Sequence, residues 1–214
     1  MEESTPSRTA LRVALRRAAH QLYDSPVVFD DPMAVPILGD AYEEELRRTP
    51  RREDRPFSIS LRAFLVVRSR YAEDNLRRAV AAGVRQYVLL GAGLDTFAHR
   101  NATPQLRVFE VDHPNTQAWK RELLERNGIA PPAGLTYAPV DFESQSLAER
   151  LQAKLTSLRA ETGAAVPVLF TAHSVPCRTV QAPAASEGQP RLWPGEGADP
   201  YAQEAKRTAE LVAE

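Results

Sequence analysis

From Val84 onward the chain alternates short apolar runs with stretches of helical period, and that alternation restricts its fold more than any other feature. The runs are VRQYVLL, LRVFEVD (Leu106 to Asp112), LTYAPVD (Leu135 to Asp141) and VPVLFTA (Val166 to Ala172). Between the second and third, PNTQAWKRELLERNG has Pro114 where a helix starts and Gly128 where one ends. Between the third and fourth, Leu147, Leu151, Leu155 and Leu158 recur at helical spacing before Gly163. Strand, crossover, strand, three times over, predicts an α/β chain with a Rossmann-like parallel sheet and flanking helices. Such a sheet takes ligands at the carboxyl ends of its strands. Here those ends are Gly91, Asp112 and Asp141, all on one edge.

The residues before Val84 read differently. Thr9 to Leu22 places Leu11, Leu15, Ala18 and Leu22 at steps of three and four and predicts a helix. Pro26, Pro32 and Pro36 break the next stretch into a packed loop of short turns. LRRTPRRED, Leu46 to Asp54, reads as a solvated charged loop. Ser60 then caps a long helix that stops at Gly83. The expected organisation is a helical cap region over 1–83, a Rossmann-like core over 84–172, a Pro/Gly/Ala-rich disordered segment over 173–200 and a helix over 201–214. The segment from His173 carries neither apolar period, so the C-terminal part of the fold is expected to be incomplete, as if cut or altered from a longer ancestor.

Within the stretch VLLGAGLDTFAHR the chain places Gly91, Ala92 and Gly93 at the end of a strand, with Asp95 and Thr96 close behind. Glycines there let a ligand approach the backbone. A dinucleotide fingerprint wants a third glycine where Thr96 stands, and an acid at Asp95 would repel a pyrophosphate. A cofactor with a cationic sulfonium and an amino-acid end tolerates that acid. Asp112, 21 positions after Gly91, can accept hydrogen bonds from ribose hydroxyls under either cofactor. The alternative is a cap for the helix after Pro114. Asp141 can meet an adenine amine, with Phe142 over the ring, or cap a helix near Ser144.

Composition bounds the rest. The 214 residues suit one domain, and 43% hydrophobic with 26% charged residues is the balance of a globular chain. A formal charge of -1 gives no reason to expect nucleic acid or a membrane surface. One cysteine, Cys177, forbids an internal disulfide and suits a reducing compartment. With no signal-like start and no long apolar run, the expected location is cytoplasmic. His20, His99, His113 and His173 are scattered, and a lone histidine is more often structural. No cluster has metal-ligand spacing, so no metal is expected.

Five motifs in order, DDPMA (Asp30 to Ala34), RSRYAEDNL (Arg68 to Leu76), LLGAGLDTFAHR, FEVDHP and PVDF, together resemble the leucine carboxyl methyltransferase-like family of S-adenosylmethionine-dependent methyltransferases, especially its actinobacterial branch. The resemblance covers roughly Ser7 to Ala172. It implies a Rossmann-like methyltransferase sheet, S-adenosyl-L-methionine as cofactor, and a carboxylate or hydroxyl of a small molecule as methyl acceptor. By the same resemblance Gly91, Ala92 and Gly93 underlie the methionine part of the cofactor. Asp112 meets the ribose, Asp141 and Phe142 meet the adenine, and Arg68 grips the cofactor carboxylate, with Arg70 in reserve. Read without the family, either arginine is a helix-surface ion pair with Glu73 or Asp74. No catalytic base is assigned. His173 stands where the family has a glutamate, and the family's later strands are missing, which leaves a second reading, a non-catalytic remnant that binds the cofactor or nothing at all; a third, an NAD-dependent oxidoreductase, is disfavoured by Thr96 in place of the third glycine.

Overall fold

The structure is a computed structural model that describes residues 7–49, 55–141 and 168–172. At its centre lie four parallel strands, β1 (Gln86–Leu90), β2 (Arg107–Asp112), β3 (Leu135–Pro139) and β4 (Val168–Ala172), in the order β3-β2-β1-β4. All five residues of β1 are buried. A parallel strand covered on both faces has no wet side, so its sequence reads as one apolar run rather than an alternation. The chain winds from β1 outward to β2 and β3, then returns to β4 on the other side of β1. In open α/β sheets, ligands sit outside the carboxyl ends of the strands at such a reversal.

Five helices accompany the sheet among the described residues: α1 (Arg8–Tyr23), α2 (Asp40–Arg48), α3 (Pro56–Ala81), α4 (Phe97–Arg100) and α5 (Pro114–Arg126). Directly paired strand residues share a face, so Tyr87 and Leu89 of β1 lie on the same side as their partners Val108 and Glu110 of β2. Leu76 of α3 and Ala98 of α4 pack into one cluster with Tyr87, Leu89 and Val108. Lys120 of α5 reaches Glu110 on that side too. Three helices therefore cover one face of the sheet. Val88, Leu90, Phe109 and Val111, on the opposite face, are buried as well. The sheet is a middle layer, as the apolar runs imply.

The first helix begins where Ser7 accepts the Ala10 N–H at 3.2 Å, a side-chain cap. Its Ala14, Ala18 and Ala19 join Ile37, Leu38, Leu46, Leu94 and the α5 pair Leu123 and Leu124 in a second cluster. Full burial of such a leucine contributes roughly 1.5–3 kcal/mol. The proline-broken segment forms successive turns, with Ala34 N–H donating to Asp31 and Ile37 N–H to Met33. Those turns deliver Ile37 and Leu38 to the core.

Two boundaries differ from the sequence expectation. The third helix starts at Pro56, not at Ser60, because proline fits the first helical position where no N–H bond is needed. Phe57 and Ile59 in that first turn are exposed, so burial gave no periodic signal there. Leu46 is buried at the end of α2 rather than in a solvated loop. Phe142, the leucine repeat of 147–158 and everything from His173 lie outside the described residues.

Candidate functional site

Backbone hydrogen bonds tie the three strand ends into one edge. The Gly91 N–H donates to Val111 O at 2.8 Å, and Ala92 N–H reaches the same oxygen at 3.2 Å. On the far side of β2, Val140 N–H donates to Asp112 O at 2.9 Å. The turn after β1, the end of β2 and the end of β3 are thus contiguous. Gly91, Ala92, Gly93, Asp112 and Asp141 come together there, as expected, although β3 itself stops two residues before Asp141.

Asp112 is the anchored member. Gly93 N–H donates to its Oδ2 at 2.6 Å, and His113 N–H to its Oδ1 at 2.7 Å. A carboxylate has about four acceptor sites, so each oxygen keeps capacity for a hydroxyl donor. Burial pushes the Asp112 carboxyl above the ordinary aspartate range, against the pull of the two N–H bonds. Capping of the helix after Pro114 falls to its neighbour: His113 is the N-cap, and its Nδ1 accepts the Asn115 N–H.

Both glycines of the turn have positive φ, 64° at Gly91 and 53° at Gly93, where an L side chain is strained. A Cβ on Gly93 would stand 3.1 Å from the Ala10 Cβ of α1. The bareness of Gly93 therefore also serves helix packing.

The acid behind the turn does not do what its position suggested. Asp95 is buried, holds the Phe97 N–H at 2.7 Å, and pairs with Arg17 of α1 at 3.2 Å. Its charge is answered inside the protein, so repulsion of a pyrophosphate is no argument against a dinucleotide. A different feature is. The α4 helix spans only Phe97–Arg100, one turn, too short to offer a pyrophosphate the long helix N-terminus of the dinucleotide fold. Thr96, at the third-glycine position, is buried with its hydroxyl between Asp31 and Arg17, 2.8 Å from each.

Of the two arginines, Arg70 makes the surface pair with Asp74 at 3.0 Å and also reaches Val28 O. Arg68 is half-buried, its guanidinium 6.0 Å above the Phe64 ring. The α3 helix packs against β4 and is joined to β1 by a short turn at Gly83.

The sequence reading missed a buried network behind the turn. Asp31, fully buried, takes Arg17, Thr96, Arg100 and the Met33 N–H. Arg100 continues to Glu73 of α3. Lys120, 1% exposed, donates to Asp95 O at 2.5 Å and Glu110 Oε2 at 2.6 Å. The only signal was membership in quoted motifs: Asp31 in DDPMA, Thr96 and Arg100 in LLGAGLDTFAHR. His20 and His113 make structural hydrogen bonds. His20 Nε2 accepts the Val28 and Phe29 N–H groups, and its Nδ1 faces Asp24 at 2.7 Å. Among the described residues no group of three or more His, Cys, Asp or Glu could hold a metal, and no helix is long and apolar enough to cross a membrane.

Comparison with known proteins places the chain in a family. The leucine carboxyl methyltransferase family profile matches residues 10–172. A Bacillus subtilis protein, YktD, provisionally named an S-adenosyl-L-methionine-dependent methyltransferase, is 32% identical over 164 residues, covering 66% of this chain and 54% of that protein. A Mycobacterium ulcerans protein with the same provisional name is 35% identical over 145 residues, covering 63% and 47%. A shorter match, 53% over 77 residues, is to a ferrochelatase of Acidobacterium capsulatum; it covers 36% of this chain and 23% of that protein, too little to carry a function. The chain spans about half the length of the two methyltransferase relatives.

Proposed function

The chain belongs to the leucine carboxyl methyltransferase family, and on that premise we propose that its sheet edge binds S-adenosyl-L-methionine for methyl transfer to a carboxylate or hydroxyl oxygen of a small molecule in the cytoplasm. One observation carries the reading. Asp112 is held at the end of β2 by the Gly93 and His113 N–H groups, with acceptor capacity left for two hydroxyl donors. Ribose presents two adjacent hydroxyls, and a carboxylate fixed at both oxygens accepts them without reorganising.

When bound, the cofactor supplies an electrophilic methyl group on a sulfonium. The chain's own residues position and exclude water. In this reading Gly91, Ala92 and Gly93 carry the methionine part on bare backbone. Asp141, with Phe142 beside it in sequence, takes the adenine. Arg68 pairs with the cofactor carboxylate in the fork geometry of guanidinium. A carboxylate acceptor is already a nucleophile and needs no base, whereas a hydroxyl needs one.

Isothermal titration with S-adenosylhomocysteine tests the binding half. Wild type is expected to bind and Asp112→Ala to lose most of that affinity while staying folded. NADH serves as the control, since tighter NADH binding would favour the oxidoreductase reading. A labelled methyl-transfer screen against small carboxylates and alcohols tests the catalytic half. Binding with no transfer to any acceptor would leave a cofactor-binding protein without catalysis.

A further inference from the structure

A turn built on two positive-φ glycines has little stiffness of its own, and Gly91 to Thr96 is such a turn. Its shape is held from behind at four points. Asp112 takes the Gly93 N–H at 2.6 Å. Lys120 donates to Asp95 O at 2.5 Å. The guanidinium of Arg17, itself 4% exposed, meets the Asp95 carboxylate and the Thr96 hydroxyl. Asp31 gathers Arg17, Thr96 and Arg100 around one buried carboxylate. Phe29 lies under both guanidiniums, 5.7 Å from Arg17 and 5.2 Å from Arg100. Beside them, Ala10 fills the space above Gly93.

Every cation in this group faces more than one acceptor, and Arg17, Asp31, Asp95, Thr96 and Lys120 are buried. At low dielectric such a network is stiff, because moving one member strands a charge on another. We propose that Arg17, Asp31 and Thr96 are positioning residues for the cofactor: touching no ligand themselves, they fix the Gly91–Thr96 turn and its bond to Asp112, so that helix α1 and the DDPMA segment set cofactor affinity. This rests on the methyl-donor reading of the edge. It assigns the N-terminal helix a second task besides capping the core, namely pre-ordering the backbone that the cofactor meets.

The test separates positioning from mere stability. Thr96→Val removes one hydroxyl with little change of volume and leaves every charge of the network in place, whereas Arg17 or Asp31 variants strand a buried charge. Thr96→Ser keeps the hydroxyl. Asp24→Asn is the comparison, because Asp24 fastens α1 to Arg62 of α3 through an ion pair that does not include the turn. Affinity for S-adenosylhomocysteine is measured by titration calorimetry, with thermal midpoints alongside. Thr96→Val is expected to weaken binding about tenfold, Thr96→Ser to restore it, and Asp24→Asn to lower the midpoint without changing affinity. Combined with Asp112→Asn, Thr96→Val should cost much less than the product of the two single effects, since both loosen the same turn. If wild type binds and Thr96→Val binds as tightly, or if Asp24→Asn weakens binding equally, the proposal is overturned and the cofactor reading stands. If wild type does not bind S-adenosylhomocysteine at all, both fall.

Discussion

Gly93 is constrained twice, by its own dihedral and by its neighbour. An L residue at φ 53° costs about 1–2 kcal/mol. A Cβ there would also press the Ala10 Cβ at 3.1 Å, closer than ordinary contact. Gly93→Ala should therefore lower urea stability by more than the dihedral cost alone. Adding Ala10→Gly should recover the contact part and leave the dihedral part. Equal stability of Gly93→Ala and wild type would show that neither constraint is real. Another single-residue prediction concerns His99, whose imidazole is held down to about 4 by burial first and by the nearby Lys120 charge second. The unfolded chain protonates this ring near 6.5, so between about pH 6.5 and 4 the unfolded state binds more protons. Stability contributed by His99 is thus present above that window and is lost as pH falls through it. The thermal midpoint should drop across those values in wild type and drop less in His99→Gln. A ring titrating near 6.5 by NMR would refute the assignment.

Between elements, the Lys120–Glu110 pair joins α5 to β2 with both side chains 1% exposed. Burial pushes Glu110 above the usual glutamate range, and Lys120 pulls it back. Removing one partner strands the other. Lys120→Met should cost about 3–5 kcal/mol, and Lys120→Met with Glu110→Leu much less, measured by urea unfolding. The double variant should not return fully to wild type, because Lys120 also holds Asp95 O. This scale also marks what the sequence could reveal. The strands, the glycine turn and Asp112 were legible because each depends on local pattern: an apolar run, a residue type with special backbone freedom, an acid at a strand end. Gly83, with φ 104° just past α3, was legible for the same reason. The start of α3 was not, since Ser60 imitates a cap while Phe57 and Ile59 face solvent. Nor was the task of Asp95, because its partner Arg17 lies 78 residues away. Asp31 and Thr96 meet across 65 residues. Pairings of that range become visible only once the fold has brought α1 over the turn.

At the scale of the whole molecule, binding at the proposed edge should be visible as stability of the entire fold. A ligand that meets only the folded state adds RT ln(1 + [L]/Kd), about 2.7 kcal/mol at 100 times Kd. For a chain of this size, that is roughly 5–10 °C in thermal midpoint. S-adenosylhomocysteine at such a concentration should therefore raise the midpoint of wild type by that amount, and NADH at the same concentration should not. Asp112→Asn should lose most of the rise. The effect should also weaken in acid earlier than an exposed aspartate would allow. Burial raises the Asp112 carboxyl, so it takes up a proton while ordinary aspartates are still ionised, and one acceptor site then becomes an O–H donor. A midpoint shift that survives Asp112→Asn would mean that the ligand sits elsewhere on the molecule.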